Sequence, residues 1–243
     1  MRAIVDALLA VLIAPDCLAC GSPLDEPTRG PVCAACWSSI PPLAPPLCES
    51  CGEPLAAWRT AASAKCPRCR RARRFVDRAV AWGAYDGALR TIVQALKYDG
   101  RRSLAEPLAN RMREAGQSLL IGADAAVPVP LHPSRHRQRG FNQAADLAAG
   151  LRLPLIHALC RTRATPSQST LPAALRHGNV RDAFAPRRSA SRLAGGTVVL
   201  VDDVSTTGAT VEACARVLKE CGVREIRALT AARAVSIGAG RRR

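Results

Sequence analysis

Residues Thr197 to Thr210, TVVLVDDVSTTGAT, decide the fold of this chain. Val198 to Val201 are four consecutive apolar residues, and such a run is typical of a strand that is buried on both faces of a parallel sheet. Two carboxylates, Asp202 and Asp203, follow directly, and apolar residues then recur at helical spacing from Val211 to Cys221. The stretch therefore predicts a strand, a loop and a helix, which is a building unit of α/β folds.

The loop between this strand and helix has the composition of an anion site. Ser205 to Thr210 is rich in small and hydroxyl-bearing residues, and Gly208 allows the backbone to approach a phosphate group closely. Asp202 and Asp203 would repel the same phosphate, so we expect them to accept hydrogen bonds from sugar hydroxyl groups beside it. A phosphate group next to a vicinal diol describes a ribose 5-phosphate unit.

Two other interpretations of this stretch are open. An acidic turn at the end of a strand can cap an ordinary helix without binding a ligand. An apolar strand that ends in acids also occurs as the Walker B strand of nucleotide hydrolases. That class needs a G-x-x-x-x-G-K-[ST] loop as well, and the sequence contains none. The ribose phosphate interpretation is therefore favoured.

The composition predicts one core domain with a small additional module, because 243 residues is long for one domain and short for two. The formal net charge of +16 favours a polyanionic partner, such as single-stranded or duplex DNA. Lysine occurs only at Lys65, Lys97 and Lys219, so the charge is carried almost entirely by arginine. An arginine and alanine bias is also what a GC-rich genome produces, which weakens the argument for DNA.

The segment from residue 3 to residue 14, AIVDALLAVLIA, is apolar apart from Asp6. It is shorter than the roughly 20 residues that cross a bilayer, and no small-residue cleavage site follows it. We expect a short helix that packs on the protein, with no membrane span. The expected location is cytoplasmic, where thiols stay reduced and cysteines more often bind metal than form disulfides.

Eight of the eleven cysteines precede residue 70 and form four C-x-x-C pairs. A C-x-x-C turn presents two thiolates to one tetrahedral ion, so four pairs supply two structural Zn²⁺ sites. The sequential arrangement places Cys17, Cys20, Cys33 and Cys36 on one ion and Cys48, Cys51, Cys66 and Cys69 on the other. CLACG and CESCG open the two halves similarly, which favours tandem zinc ribbons, although spacing also permits a cross-braced pairing.

Beyond the cysteines, the pattern of apolar residues predicts alternating strands and helices. Strands are predicted within VDRAVAWGAYDG, AAVPVP, Leu155 to Cys160 and REIRALTAARAV, and helices over ALRTIVQALKY and SLAEPLANRMREAG. The predicted domains are residues 1–73, with the N-terminal helix and the cysteine pairs, and residues 74–243, with the α/β fold.

Several cations are candidates for binding a pyrophosphate group. A loop after AAVPVP carries Arg135 and Arg139, and arginine binds phosphate in a bidentate manner. The long polar segment 161–184 includes Arg163 and Arg176, and we interpret it as a lid over the ligand. Lys97 ends a predicted helix, where it is either a surface charge or a residue at the ligand.

The stretch VVLVDDVSTTGAT resembles the phosphoribosyl pyrophosphate (PRPP) motif of the type I phosphoribosyltransferases. By this resemblance Asp202 and Asp203 are the catalytic acids and hold the 2- and 3-hydroxyl groups of the ribose. The resemblance implies that the following residues bind PRPP: Val204, Ser205, Thr206, Thr207, Gly208, Ala209 and Thr210. Position 205 is serine where relatives often have an aromatic residue.

Five features, in this order, resemble the ComF family of bacterial competence-associated proteins, which includes GntX-like members. They are the C-x-x-C module, LKYDG, VPVPLHPSRHRQRGFNQA, RTRATPSQSTLPAALRHGNVRDAF and VVLVDDVSTTGAT. The resemblance implies a type I phosphoribosyltransferase fold, which is a twisted parallel sheet flanked by helices, with an N-terminal double zinc ribbon. It also implies PRPP bound with Mg²⁺ and a role in DNA uptake or processing.

Two functions follow as expectations. The first is an enzyme that transfers the phosphoribosyl group of PRPP to an acceptor that the sequence does not identify. The alternative is a non-catalytic competence protein that binds DNA, or a DNA-uptake or helicase protein, and uses its PRPP site as a ligand switch. With three Phe, three Trp and two Tyr, the chain offers few stacking platforms, so phosphate contacts would dominate DNA binding.

Overall fold

The structure is a computed structural model, and it describes residues 2–55, 65–72, 74–163 and 182–235. The α-helices within these ranges are α1 (Arg2–Leu12), α2 (Ala34–Ser38), α3 (Pro67–Arg71), α4 (Gly87–Tyr98), α5 (Ala105–Ala115), α6 (Gln117–Leu120), α7 (Pro133–Arg139), α8 (Gln143–Ala149) and α9 (Ala209–Glu220). The strands are β1 (Arg78–Ala84), β2 (Ala125–Pro128), β3 (Leu159–Arg161), β4 (Phe184–Pro186), β5 (Thr197–Ser205) and β6 (Glu225–Arg233).

Four strands form one parallel sheet in the order β1-β6-β5-β2. The strand from the TVVLVDD stretch, β5, lies inside this sheet, with Val198 opposite Ala125 of β2 and Ile226 of β6. Parallel neighbours need crossover connections, and helices provide them here. The predicted α/β fold, a parallel sheet flanked by helices, is confirmed.

Both faces of the sheet are covered, and β5 contributes alternate side chains to the two sides. Val199 and Val201 pack with residues of α4 and α5 in one hydrophobic cluster. Val198 and Leu200 pack with Leu218 of α9 in the other cluster. Each such buried side chain contributes about 1.5–3 kcal/mol to folding. An unbroken apolar run is therefore required here, because none of the four positions from Val198 to Val201 faces water.

The strand continues further than its apolar run predicts. Asp202 pairs with Thr230 of β6 and Ser205 pairs with Arg233. The two acids therefore lie within the last few residues of the strand and not after it. The strand is this long because its partner, β6, extends as far as Arg233 opposite Ser205 and forms backbone hydrogen bonds with the polar residues of β5. The acids are consequently held by the sheet.

Two local predictions differ from the structure. The cationic segment after β2 was expected as a loop, but it forms helix α7, which begins at Pro133 and is capped by the His132 side chain, the acceptor of a hydrogen bond from the Ser134 N–H group. Proline at a first helical position favours this outcome. The strand predicted over Leu155 to Cys160 begins only at Leu159 and pairs with β4 in a separate two-stranded antiparallel sheet.

The N-terminal cysteine region contains two turns of the same design. Asp16 bridges Pro23 around the first turn, and Leu47 bridges Pro54 around the second. In each turn the N–H group of a glycine four residues after the first cysteine donates to that cysteine's carbonyl oxygen, over 2.7 Å. This repeat agrees with the predicted tandem ribbons. The predicted boundary between residues 73 and 74 stays a prediction.

The first ribbon packs on the sheet domain through an arginine that contacts two aromatic rings. The guanidinium carbon of Arg111 on α5 lies 4.3 Å from the ring centroid of Trp37 and 5.5 Å from that of Trp82 on β1. The two indole rings are 6.2 Å apart. Trp37, which is partly buried, therefore takes part in the contact between the ribbon and the sheet.

Helix α1 confirms the predicted N-terminal helix but leaves most of its apolar side chains in contact with solvent. Among the side chains of this helix that the structure describes, the buried one is Asp6, which accepts a hydrogen bond from the Thr28 N–H group over 2.9 Å. Leu8, Val11 and Leu12 are exposed. Among the described residues, the helices are all too short or too polar to cross a membrane.

Candidate functional site

The acidic pair, Asp202 and Asp203, lies at the carboxyl end of β5 and contacts a lysine from α4. The Nζ atom of Lys97 is 2.9 Å from Oδ1 of Asp203, and both side chains are largely buried. Oδ2 of Asp203 is buried and makes no hydrogen bond within the described residues. Lys97 is therefore a residue of the site and not a surface charge.

The electrostatics of the acidic pair are set by burial. Desolvation, and then the neighbouring Asp203 carboxylate, raise the pKa of Asp202 to about 8, against the opposite effect of Lys97. Burial alone lowers the pKa of Lys97, but the attraction of Asp203 and Asp202 outweighs it and raises that pKa. Near neutral pH the carboxyl group of Asp202 is therefore mostly protonated, beside the ion pair of Lys97 and Asp203.

A first prediction concerns stability. Because the pKa of Asp202 is raised in the folded state, the protein loses stability as pH rises from about 4 to about 8. The substitution Asp202→Asn mimics the neutral acid, so we expect it to stabilise the ligand-free protein by about 1–2 kcal/mol at pH 9 and to have little effect at pH 4. Thermal unfolding at both pH values measures the difference.

The matched control is Asp203→Asn, which breaks the ion pair with Lys97. This variant is expected to be less stable than the wild-type protein at pH 9. If Asp202→Asn were also destabilising at that pH, the assignment of a raised pKa to Asp202 would be wrong.

The 204–210 loop joins the acidic pair to helix α9. Gly208 has a φ of 78°, a conformation that glycine adopts without strain, and it caps the helix. The N–H group of Ala209 donates to Oγ1 of Thr207 over 3.3 Å. The first turn of a 12-residue helix thus points its N–H groups into the loop, where an anion is favoured.

A cavity of about 370 Å³ opens over the acidic pair and the loop. From the loop, Val204, Thr206 and Thr210 line it. The side chain of Ser205 lies on the other side of the strand, where its hydroxyl group is 3.4 Å from Nη1 of Arg233. A cavity of this size is within the range of small-molecule sites.

Within the described part of the chain, four cations line the same cavity: Lys97, Arg135, Arg139 and Arg161. Arg139 donates a hydrogen bond to Gln143, and its guanidinium carbon lies 5.3 Å from the ring centroid of Tyr98. Arg135 and Arg139 are one turn apart on α7, so the helix presents both to the cavity. A second cavity of about 430 Å³ adjoins the first and shares Lys97, Tyr98, Arg135 and Arg139 with it.

Arg161 is a site residue to which sequence reasoning gave no specific role. It ends β3, and its guanidinium carbon lies 5.4 Å from the ring centroid of Phe184 on the paired strand. Burial, and then the charge of Arg135, lower the pKa of Arg161. An arginine directly at a strand end before a long polar segment is the signal that could have identified it.

The remaining cation candidates are not brought to the cavity by the described structure. Arg163 is exposed and does not line it. Arg176 and most of the predicted lid lie outside the described residues, so their roles stay predictions.

The eight N-terminal thiols form two groups in the sequential order. Within each group the four Sγ atoms lie within 4.8 Å of one another: Cys17, Cys20, Cys33 and Cys36, and then Cys48, Cys51, Cys66 and Cys69. Zinc–sulfur bonds of 2.3 Å in a tetrahedron place sulfur atoms about 3.8 Å apart. The observed Cys20–Cys33 and Cys51–Cys66 distances are 3.9 and 3.7 Å, so both groups fit a zinc ion.

Backbone hydrogen bonds prepare these sulfur atoms for a cation. The N–H group of Cys33 donates to the sulfur of Cys17 over 3.3 Å, and that of Cys66 donates to the sulfur of Cys48 over 3.2 Å. Hydrogen bonds from Ser22 lower the pKa of the Cys20 thiol to about 6. Donors at sulfur stabilise the thiolate, which is the form that binds metal.

Comparison with known proteins agrees with both parts of the structure. A family model described as "Double zinc ribbon domain" matches residues 8–77, and one described as "Phosphoribosyl transferase domain" matches residues 138–239. The sheet, the cavity and the two cysteine groups thus define a phosphoribosyltransferase-type domain that follows a double zinc ribbon.

Similar curated proteins specify the family. The chain is 30% identical over 228 residues to "Competence protein F" of Haemophilus influenzae, covering 90% of this chain and 96% of that protein. It is 33% identical over 223 residues to "DNA utilization protein YhgH" of Salmonella typhimurium, covering 85% and 91%. It is 26% identical over 199 residues to "Competence protein ComFC" of Bacillus subtilis, covering 79% of each. The chain belongs to the ComF family.

Proposed function

We propose that this protein binds PRPP with Mg²⁺ in the 370 Å³ cavity and transfers its phosphoribosyl group to an acceptor, in a process linked to DNA uptake or processing. One observation carries the proposal: the acidic pair, the 204–210 loop and four cations line the same cavity. A ribose diol, a 5-phosphate and a pyrophosphate group require these three kinds of partner in one place.

The acidic pair is proposed to hold the ribose. Asp203, which forms the ion pair with Lys97, accepts a hydrogen bond from one sugar hydroxyl group. Asp202, whose pKa is raised to about 8, carries a proton near neutral pH and can donate as well as accept. Val204, Thr206 and Thr210 line the space for the 5-phosphate, which the first N–H groups of α9 and the hydroxyl groups of Thr206 and Thr210 bind.

The cations are proposed to hold the pyrophosphate group. Lys97 is 2.9 Å from Asp203, and Arg135, Arg139 and Arg161 lie around the same space, so the developing negative charge of the leaving group would be balanced by the protein. The buried, unpartnered Oδ2 of Asp203 is the kind of oxygen that Mg²⁺ prefers. Mg²⁺ bound with PRPP supplies further charge neutralisation.

In the transfer, the bond between C1 of the ribose and the pyrophosphate oxygen breaks, and its electron pair leaves with pyrophosphate. The acceptor forms the new bond to C1 and loses a proton. The described residues contribute by holding the reactants in position and by balancing charge. The two cysteine groups are proposed to bind structural zinc, which contributes folding energy and takes no part in this step.

The experiment that tests the proposal is a calorimetric titration of PRPP and Mg²⁺ into the zinc-loaded protein. Pyrophosphate release is measured in the same samples, with and without nucleobases and DNA as acceptors. Binding with acceptor-dependent release supports a transferase. Binding without release supports a ligand switch, and the absence of binding refutes the PRPP assignment.

The second candidate function is DNA binding, and the surface beside the cavity favours it. Tyr98 is 68% exposed there, with Arg139 against its ring, and helix α7 adds Arg135 and Arg137. An exposed aromatic ring among arginines suits a single strand, because bases stack on the ring and phosphates bind the cations. The names of the relatives, which refer to competence and DNA utilization, agree with this candidate.

A second prediction tests this surface. The double substitution Arg135→Gln/Arg139→Gln is expected to weaken binding of an oligonucleotide and to reduce the slope of log K against log salt concentration by about two. The control is Arg188→Gln/Arg192→Gln, which removes two exposed arginines outside the cavities. Fluorescence anisotropy at several salt concentrations measures both. A slope that is unchanged in the first variant contradicts the assignment of DNA to this surface.

A further inference from the structure

The second cysteine group is connected to the 204–210 loop by a buried arginine. Arg233 ends β6, lies opposite Ser205 in the sheet and is 2% exposed. Its Nη1 atom donates to the carbonyl oxygen of Cys51 over 2.7 Å and lies 3.4 Å from the hydroxyl group of Ser205. One guanidinium group therefore contacts both a candidate metal-ligand residue, Cys51, and a residue of the loop, Ser205.

The same guanidinium group is fixed from the other side by a carboxylate of the second ribbon. Nε and Nη2 of Arg233 donate to Oε2 of Glu53 over 2.9 and 2.6 Å. The ribbon turn approaches the sheet so closely that a Cβ atom on Gly52 would lie 2.8 Å from the carbonyl oxygen of Ala79. Arg233 is thus held in one geometry only while the turn from Cys48 to Glu53 is folded against β1.

A second link joins the ribbon's C-terminal side to the far end of the loop. Arg74, which follows the last cysteine pair, forms an ion pair of 2.8 Å with Glu212 in the first turn of α9. The N–H group of Phe75 donates to the same carboxylate over 2.9 Å. Both side chains of the ion pair are largely buried. The second ribbon therefore contacts the loop at Ser205, and the segment after it contacts the first turn of the following helix at Glu212.

We propose that the second cysteine group and the 204–210 loop form one ordered unit, in which Arg233 is the positioning residue, so that metal bound in the second group holds the loop in its binding conformation. Loss of that metal unfolds the Cys48–Glu53 turn, releases Arg233 from Glu53 and Cys51, and leaves Ser205 without its buried partner. The first cysteine group makes its contact with the sheet domain through Trp37 and Arg111 instead, so its metal has no such effect.

The consequence for ligand binding is that the two zinc ions are not equivalent. If the loop must become ordered before it binds an anion, the entropy lost in ordering it lowers the affinity for the anion. Emptying the second group is expected to weaken anion binding at the loop, and by reciprocity a bound anion is expected to slow metal loss from the second group. The inference concerns the order of the loop and does not depend on PRPP being the ligand.

The test is hydrogen exchange of the full-length, zinc-loaded protein, followed by mass spectrometry of peptides that cover residues 205–212. Three variants are compared with the wild-type protein: Arg233→Gln, the second-group variant Cys66→Ser/Cys69→Ser and the first-group variant Cys33→Ser/Cys36→Ser. Zinc content is measured in each sample. Peptides from α5 serve as the gauge of global stability, because Leu108 and Met112 of that helix are fully buried.

We expect exchange of the 205–212 peptides to become about tenfold faster in Arg233→Gln, with two zinc ions retained and α5 unchanged. The second-group variant is expected to show the same change, and the first-group variant to show none. Arg227→Gln is the matched control, since Arg227 lies on the same strand but donates to Glu225 and to the carbonyl groups of Leu119 and Ile121.

Unchanged exchange of the loop in Arg233→Gln would overturn the proposal, as would an equal change in the first-group variant or in Arg227→Gln. If the second-group variant unfolds globally, Arg233→Gln still decides the question, because it keeps all eight thiolates of the two groups. A failure of PRPP to bind would refute the proposed function and leave this result unaffected.

Discussion

Replacing Asp202 and Asp203 together with asparagine is expected to weaken PRPP binding at least about 100-fold while leaving the zinc content unchanged. Hydrogen bonds to a charged group contribute about 1.5–3 kcal/mol each, and the double variant loses those that the acidic pair makes with the sugar. It also leaves Lys97 buried without its counter-ion, which disfavours the arrangement of cations around the pyrophosphate. Calorimetric titration measures the affinity.

The matched control is Asp77→Asn/Asp182→Asn. Each of these aspartates forms an ion pair with a cation, Lys219 and Arg216 respectively, and neither lines the cavity. The control is expected to bind PRPP with wild-type affinity. Unchanged affinity in the Asp202/Asp203 variant would refute the assignment of the ribose site to β5.

The second large effect is expected in the zinc module. Cys66→Ser/Cys69→Ser should lower the zinc content by about one ion per chain and unfold the second ribbon, because four thiolates hold that ion and few apolar residues support the segment. Structural zinc contributes about 10–16 kcal/mol of binding energy in small peptides, which is more than a ribbon of this size gains from its core. Metal analysis and near-ultraviolet circular dichroism measure the two changes.

The control for this prediction is Cys160→Ser/Cys221→Ser, which removes two half-buried thiols that belong to neither cysteine group. We expect it to retain both zinc ions. A Cys66/Cys69 variant that also retained both ions would show that the ligand assignment is wrong. Loss of both ions would show that the two ribbons fold as one unit, and not independently of each other.

The fold and the ligand grouping were predictable because they depend on short-range patterns. The apolar run from Val198 to Val201 is explained by two-sided burial, and the four C-x-x-C pairs each place two thiols on one turn. Each of these signals is contained within a few consecutive residues of the sequence. Helix α7 could also have been predicted, because Pro133 is typical of the first position of a helix. The high density of arginines in this segment instead favoured the prediction of a loop.

The contacts between distant segments could not be predicted in the same way. The role of Lys97 was ambiguous, because its helix has both a buried and an exposed side. Only the ion pair with Asp203 shows that the side chain lies at the acidic pair. Arg233 reaches a glutamate 180 positions earlier, and no periodicity or motif encodes that contact. Such pairings depend on how the ribbons dock on the sheet, which is a property of tertiary packing.

The aromatic contact between the first ribbon and the sheet has an optical consequence. The chain has three tryptophans, and the ring centroids of two of them, Trp37 and Trp82, lie 6.2 Å apart on opposite sides of that junction, with the Arg111 guanidinium group packed against both rings. Separation of the ribbon would expose both indoles to water and remove the cation. The intrinsic fluorescence of the unlabelled protein therefore reports on ribbon docking, independently of metal analysis and of any ligand.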